Sequence, residues 1–403
     1  MTEAELRVYA QLALRVGVNL QRGQLLVVDC VVEHAPLVRA LAAEAYAAGA
    51  SYVDAAYGDP YVRRSQIELA PAETLSWSPP WSLKRLQHVA DNGGALLGIF
   101  GDPDPTLLVD LDDKRVAAAR MEEASAVYQR IVAGAAAWSV VAFPTPRWAG
   151  LVFGDPDVEQ LWKAIAYTVR LDEPDPVAAW NEHIERLERR AERLHELDLA
   201  AVRFVGPGTD LRVRLHATSR WHTARHQSAS GVLHVANMPT EEVFTTPDAR
   251  GTEGVVRATY PLNMTGTTVD GLELTFHEGR VTQVRASGGE GFIREHIAID
   301  DGAARLGEVA LVDRNSRVGR SGLVFHNGLF DENAASHIAL GAGWTPAVAN
   351  ATDLRADELH ERGINQSLVH TDFMIGSPEV GIVGVTSDGD EVTLLENGEW
   401  VAR

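Results

Sequence analysis

The chain has 403 residues, of which 45% are hydrophobic and 23% charged, with a formal net charge of −20. This length indicates two domains, and the composition excludes a disordered protein. The negative charge opposes a phosphate backbone, so we expect no nucleic-acid partner, and the single cysteine, Cys30, excludes an intrachain disulfide.

The N-terminal segment, "MTEAELRVYAQLALRVGVNL", carries acidic residues where a signal peptide requires basic ones. No uninterrupted apolar run in the chain reaches membrane length. We therefore expect a cytoplasmic protein with no membrane contact.

The first half alternates apolar runs with helical patterns, beginning with a strand–helix–strand unit of about 35 residues. Fully apolar strands separated by helices are typical of a parallel sheet covered on both faces, which predicts a doubly wound α/β domain over residues 1–190. Strands are predicted at 24–30, 51–57, 94–100 and 138–144, and helices at 3–16, 35–50, 81–92, 114–131 and 157–170.

No G-x-G-x-x-G follows the first strand, and there is no Walker A loop. Both common nucleotide-binding patterns therefore lack their phosphate-binding loop, and we expect no nucleotide cofactor.

Residues 176–199 form a long amphipathic pattern with Glu and Arg spaced three and four apart, which predicts a helix between the domains. His183 and His195 are expected on its solvated face. Beyond position 200, short alternating runs with Gly, Asp and Asn turns predict a mostly antiparallel β (α+β) domain over residues 191–403.

Two patterns in the second half resemble catalytic motifs but do not complete them. "HTARH" (222–226) has the histidine spacing of H-E-x-x-H without the glutamate, and "GRSGL" (319–323) places its serine one position away from the G-x-S-x-G register. Neither supports a zincin helix or a serine hydrolase.

Four other segments contain residues that suit a metal site. "NMPTEEVF" (237–244) presents Glu241 and Glu242, which point to opposite sides if the segment is a strand, and "RLGEVALVD" (305–313) places Glu308 at the head of an apolar run. Taken alone, each segment fits an exposed acidic turn or a solvated strand edge better than a metal site.

The remaining two segments supply imidazoles. "DENAASHIALG" (331–341) contains His337, for which a core or turn position is an alternative, and "SLVHTDFMIGS" (367–377) contains His370 and Asp372 two residues apart. On an extended strand His370 and Asp372 face the same side and can reach one cation. Together, the four segments offer a mixed nitrogen and oxygen set that suits Zn²⁺, Co²⁺ or Mn²⁺.

The segments "NMPTEEVFTTPD", "GEVALV", "GLFDENAASHIALG" and "HTDFMIGS" closely resemble, in order and spacing, the signature segments of the aminopeptidase T/aminopeptidase S family of dinuclear metallo-aminopeptidases. "GPGTDLRVRL" (206–215) is similar to this family's entry into its C-terminal domain. The first half matches by its α/β pattern only.

The resemblance implies two divalent metal ions (Zn, Co or Mn), with Glu308 as the bridging carboxylate. It also implies a homodimer that removes N-terminal residues from peptide substrates with a free N-terminus. The interval to Glu308 favours Glu242 over Glu241 as a ligand, and Glu241 becomes the expected catalytic general base. The implied metal ligands are Glu242, Glu308, His337, His370 and Asp372.

The chain departs from the family pattern at Trp344, where the family has a tyrosine seven residues after the ligand histidine. An indole N–H only donates, so it cannot supply an oxygen to a metal or accept a proton from an amine. Ser336 also stands where a cysteine is frequent in the family, a change that we interpret as packing.

We therefore expect peptide hydrolysis by a metal-activated bridging water, with a carboxylate carrying the proton to the leaving amine. Two alternatives stay open. One is a repurposed or inactive family member that binds metal without efficient hydrolysis, and the other is a purely structural protein whose acids are incidental.

Overall fold

The computed structural model describes residues 1–119, 121–264, 267–352 and 354–401. Its α-helices are α1 (Glu3–Leu12), α2 (Ala35–Ala48), α3 (Pro60–Leu69), α4 (Pro80–Asn92), α5 (Asp113–Ala118), α6 (Glu122–Arg130), α7 (Pro146–Phe153), α8 (Val158–Thr168), α9 (Pro176–Glu196), α10 (Glu290–His296), α11 (Arg317–Ser321), α12 (Gly328–Asp331) and α13 (Ala356–Glu361). Within these ranges no helix is both long and apolar enough to cross a bilayer.

The strands are β1 (Leu25–Val31), β2 (Tyr52–Gly58), β3 (Ala95–Phe100), β4 (Ala137–Ala142), β5 (Leu199–Gly206), β6 (Thr209–Leu215), β7 (Arg225–Gln227), β8 (Leu233–Val235), β9 (Glu242–Thr245), β10 (Pro247–Arg257), β11 (Leu262–Met264), β12 (Thr267–Val269), β13 (Glu273–His277), β14 (Arg280–Arg285), β15 (Leu306–Val312), β16 (His337–Gly341), β17 (His370–Met374), β18 (Gly381–Thr386), β19 (Glu391–Glu396) and β20 (Glu399–Trp400).

The chain forms two compact units, and the first comprises residues 1–182 and 224–239. Its main sheet is parallel, with strand order β2-β1-β3-β4. On one face of this sheet, Val27 and Leu96 pack with Val89 of α4 and Ile131. The predicted α/β domain with a parallel sheet is confirmed.

The helices of the first unit differ from the sequence prediction in three places. The single helix expected over 114–131 is divided into α5 and α6, and α3 and α7 were not predicted. α3 begins at Pro60 because the Asp59 side chain caps it, accepting hydrogen bonds from the backbone N–H groups of Tyr61 and Val62. Only Ile67 of α3 is buried, so the sequence of this helix has weak apolar periodicity and does not predict it.

The second unit comprises residues 183–223 and 240–403. It contains an eight-stranded sheet of order β14-β13-β10-β6-β5-β18-β19-β20 and a four-stranded sheet of order β17-β16-β15-β9. The strand pairs in both sheets are antiparallel, which confirms the predicted mostly antiparallel second half. The four-stranded sheet is the element that carries the candidate site.

The helix predicted over 176–199 is α9, but the expectation that His183 is solvated is wrong. His183 is 1% exposed, and its Nε2 lies 2.7 Å from the backbone oxygen of Thr240. Amphipathic periodicity indicates that one face of α9 is buried, but it does not indicate that His183 lies on that face. His195 is exposed, as expected, and accepts a hydrogen bond from the backbone N–H of Trp221.

Candidate metal centre

Strand register places two of the predicted ligands on one face of the four-stranded sheet. Glu308 of β15 pairs with Ala339 of β16, and Ala310 pairs with His337. Because side chains two residues apart in a strand point to the same side, Glu308 and His337 share a face.

The outer strands bring the other three predicted ligands to that same face. Asp372 of β17 also pairs with Ala339, and His370 lies two residues before Asp372. On the opposite edge, Glu242 of β9 pairs with Val312, which lies an even number of residues from Glu308. The five residues are thus brought together from four strands.

Among the described residues, two groups are close enough to hold a metal ion, and Glu308 belongs to both. In the first group, Nε2 of His337 lies 3.2 Å from a carboxylate oxygen of Glu242 and 3.5 Å from Oε1 of Glu308. In the second, Nε2 of His370 lies 3.7 Å from Oε2 of Glu308 and 3.5 Å from Oδ1 of Asp372. The two oxygens of Glu308 therefore face different histidines.

Backbone carbonyls fix the orientation of both imidazoles. Nδ1 of His337 lies 3.2 Å from the oxygen of Ala335, and Nδ1 of His370 lies 2.8 Å from the oxygen of Ala342. Since a carbonyl only accepts, each Nδ1 carries the proton and donates it, which leaves Nε2 directed at the carboxylates. Metal-binding histidines are commonly held in this way by a hydrogen bond from their second nitrogen.

The carboxylates of the cluster strongly stabilise positive charge on the two imidazoles. Burial lowers the pKa of His337, but the adjacent carboxylates of Glu242 and Glu308 outweigh burial and raise the pKa well above its ordinary value. Burial likewise lowers the pKa of His370, whereas Asp372 and Glu308 raise it to about 10. Burial raises the pKa of Glu242. The acids thus hold both imidazoles in their charged form when no other cation is present.

The donor set fits divalent metal ions. Oε2 of Glu242 is buried and makes no hydrogen bond of acceptable geometry with a described residue, although His337 lies beside it. A buried carboxylate oxygen that forms no hydrogen bond is costly, and a cation bound there would lower this cost. Three carboxylates and two imidazoles are also ligand types that Zn²⁺, Co²⁺ and Mn²⁺ accept.

A further acid, Glu332, was not among the predicted site residues. It is half-buried beside the cluster, where desolvation of its carboxyl group and then the charges of Asp372, Glu242 and Glu308 raise its pKa well above the ordinary value. It lines a cavity of about 20 Å³ with Asp372 and Asn327, roughly the room of one water molecule. In the sequence, only its position five residues before His337 pointed to it.

Glu241, the predicted general base, lies on the opposite side of its segment from Glu242. One of its carboxylate oxygens is 3.5 Å from Nε2 of His183, and the other accepts the backbone N–H of Arg317 at 3.3 Å. The Glu241 backbone N–H donates to the side chain of Asn333 at 2.7 Å. The adjacent acids therefore have separate surroundings, as strand alternation predicts.

Trp344 packs in an aromatic cluster with His222 and Phe244. Its ring centroid is 5.0 Å from that of His222, in a nearly perpendicular arrangement, and 5.5 Å from that of Phe244. Phe244 lies two residues after Glu242 on β9, so this cluster adjoins the face that carries the ligands.

Ser336 precedes His337 and ties it to β15. Its hydroxyl accepts the backbone N–H of Val312 at 3.0 Å and lies 3.3 Å from the oxygen of the same residue. The residue at the family's frequent cysteine position thus helps to hold the strand start from which His337 projects.

The chain is similar over nearly its full length to proteins named as aminopeptidases. A family model described as thermophilic metalloprotease (M29) matches residues 2–400. The chain is 42% identical to Aminopeptidase 2 of Geobacillus stearothermophilus over 99% of this chain and 98% of that protein, and 37% identical to Aminopeptidase AmpS of Bacillus subtilis over 98% of each.

A solved structure agrees with these sequence relatives. Wild-type AmpT from Thermus thermophilus matches with a TM-score of 0.92 and 37% identity, covering 99% of this chain and 100% of that one. Agreement of sequence and fold over the whole length makes the similarity one of entire proteins and not of a shared domain.

Proposed function

The chain belongs to the thermophilic metalloprotease (M29) family, and from that premise we propose that the cluster around Glu308 removes N-terminal residues from peptides. Metal-dependent aminopeptidase activity follows from the family and from relatives named as aminopeptidases over their full length. The observation that supports this particular site is the sharing of Glu308 between two ligand groups.

The proposed metal ligands are Glu242, Glu308 and His337 at one position and Glu308, His370 and Asp372 at the other. When bound, two divalent ions lower the pKa of a water molecule to near 7 and polarise the scissile carbonyl. Glu308 links the two positions, and the carbonyls behind His337 and His370 fix the direction of their Nε2 atoms.

Two further acids complete the proposal. Glu332 is proposed to receive the free α-ammonium group of the substrate, because this half-buried carboxylate lies beside Asp372 at a cavity on the edge of the cluster. Glu241 is proposed to carry the proton to the departing amine, acting with the adjacent imidazole of His183. Recognition of the α-ammonium group accounts for the requirement for a free N-terminus.

The proposal also includes a cytoplasmic homodimer, which the family resemblance implies. The proposed metal ions are Zn²⁺, Co²⁺ or Mn²⁺, which suit the nitrogen and oxygen donors of the site. A second candidate is a family member that binds metal but hydrolyses peptides poorly. The presence of Trp344 in place of the family's tyrosine favours it, because an indole offers no oxygen acceptor.

The test compares the metal-loaded wild type with Glu308→Gln on aminoacyl reporters, with and without chelator. We expect Glu308→Gln to retain its fold but to lose its bound metal. Its kcat/KM should fall at least about a thousandfold, because both ligand groups lose a negative charge. Glu391→Gln, which changes an exposed glutamate of the same unit, should match the wild type. A folded Glu308→Gln protein with full chelator-sensitive activity would sink the proposal.

A further inference from the structure

The parallel sheet of the first unit has a topological switch point between β1 and β3. With strand order β2-β1-β3-β4, the chain moves outward from β1 to β2 and then returns to place β3 on the other side of β1. In open α/β sheets, ligands bind in the crevice outside the carboxyl ends of the strands at such a point.

A cavity of about 280 Å³ lies at this position. Its lining includes the carboxyl end of β1, from Asp29 to Val31, and that of β3, from Gly98 to Phe100. The lining residues all belong to the first unit, whereas the metal ligands belong to the second. The cavity is therefore a candidate site in its own right, large enough for a compact organic molecule.

Asp29 is the charged group of the lining, and the structure leaves its carboxylate without a hydrogen bond or ion pair to any described residue. The nearby cation Arg85 forms its ion pair with Asp54, at 2.8 Å. Asp29 is exposed to solvent, and the surrounding protein atoms raise the pKa of its carboxyl group. An unpaired carboxylate beside a cavity can accept a charge-assisted hydrogen bond from a cationic ligand.

Small residues next to Asp29 leave the space open. In the sheet register its neighbours are Ala56 on β2 and Gly98 on β3. A Cβ at Gly98 would meet its nearest atom, on Val140, at 3.7 Å, which is ordinary contact. A side chain could therefore stand at position 98, so the gap results from the residue choice and not from backbone crowding.

Aromatic residues form much of the remaining wall, namely Phe100, Tyr128 and Trp138. The indole N–H of Trp138 is buried and has no acceptor among the described residues. Aromatic faces attract ammonium groups and pack against apolar ligand bodies. They give a cation bound at Asp29 a second source of affinity.

We propose that this cavity binds a compound with a primary ammonium group attached to a compact apolar or aromatic body, with Asp29 as the counter-ion. The negative charge of Asp29 disfavours anionic ligands. Nucleotides are disfavoured further because no glycine-rich phosphate-binding loop follows the first strand. This binding site is independent of the proposed peptidase chemistry, because it shares no residue with the metal ligands.

The experiment titrates phenethylammonium into full-length, metal-loaded protein and follows binding by calorimetry. Bound metal ions neutralise the acids of the metal centre, and any remaining binding of the amine there is common to the wild type and Asp29→Asn, so the difference between the two proteins reports the cavity. We expect saturable binding of one equivalent to the wild type, and at least about tenfold weaker binding to Asp29→Asn, the loss expected for a charge-assisted contact. Gly98→Leu, which fills the cavity, should also lose binding, while peptidase activity after metal loading stays unchanged in both variants.

Two controls make the result specific. The anionic isostere 3-phenylpropanoate should not bind the wild type, and Asp91→Asn, which alters a solvent-exposed acid of the same unit, should bind phenethylammonium like the wild type. Absence of saturable binding to the wild type, or equal affinity in Asp29→Asn, would overturn the proposal.

Discussion

At the scale of single residues, acids that look alike in sequence have different surroundings in the structure. Glu241 and Glu242 are adjacent, but Glu242 faces His337 whereas Glu241 faces His183. Glu332 reaches the same cluster from the turn before β16. Position relative to the strand, and not residue type, separates the proposed ligand Glu242 from Glu241.

Substitution of Glu332 and Glu241 should therefore affect different kinetic constants. Glu332→Gln should raise KM for substrates with a free N-terminus by about tenfold or more with a smaller effect on kcat, because an ammonium–carboxylate contact is lost. Glu241→Gln should lower kcat by about a hundredfold with little change in KM, because proton transfer is impaired. Steady-state kinetics with equal metal content in all proteins distinguishes the roles, and a reversed pattern would exchange them.

Trp344 provides a second prediction at this scale. Trp344→Tyr should raise kcat/KM severalfold, because a phenolic oxygen can donate and accept where an indole N–H only donates. Trp344→Phe keeps an aromatic ring beside His222 and Phe244 but adds no hydroxyl, so it serves as the matched control. Equal activity of the Tyr and Phe variants would show that Trp344 acts only through packing.

At the scale of elements, the site depends on the ends of β16 and β17. Gly341 closes β16 and pairs with His370, the first residue of β17. Its φ of 106° lies in the region that favours glycine, and a Cβ there would stand 2.0 Å from the backbone oxygen of Val369. No other residue fits without moving the strand that carries His370.

Gly341→Ala should consequently lower the free energy of unfolding by about 3 kcal/mol or more and weaken metal binding. Gly381→Ala, in β18, is the control, since its Cβ would meet the nearest atom at 3.9 Å and should cost less than about 1 kcal/mol. Urea unfolding and metal titration provide both readouts. Wild-type metal affinity in Gly341→Ala would show that this turn does not position His370.

The sequence predicted the strands of the parallel sheet well, because buried parallel strands are continuous apolar runs such as 24–30. It also predicted the four segments that the fold brings together at the candidate metal centre. It did not identify Glu332, since the proximity of this acid to Asp372 arises from tertiary packing. His183 was misplaced for the same reason, because its partner at Thr240 is 57 residues away.

At the scale of the whole molecule, several buried histidines bear on stability without belonging to the metal cluster. His234 is 1% exposed, and its ring centroid lies 6.4 Å from that of Trp138 and 6.0 Å from that of His226. Burial lowers the pKa of His234 to about 4. This imidazole is therefore neutral in the folded chain at neutral pH.

Acid should destabilise the fold partly through His234. In the unfolded chain His234 has a pKa near 6.5, above its folded value. The contribution of the neutral imidazole to the free energy of unfolding is therefore complete above about pH 6.5 and is lost as pH falls toward 4. Between about pH 7.5 and pH 5 the wild type should lose about 2 kcal/mol more than His234→Phe. Urea unfolding at both pH values measures this difference, and His88→Phe, an exposed histidine, should behave like the wild type.

The central claim, that one shared carboxylate organises two metal ions for peptide hydrolysis, is tested most directly by an anomalous difference map of a metal-loaded crystal. The account predicts two peaks about 3.5–4 Å apart, both next to Glu308, one beside His337 and the other beside His370. A single peak, or peaks away from Glu308, would contradict it.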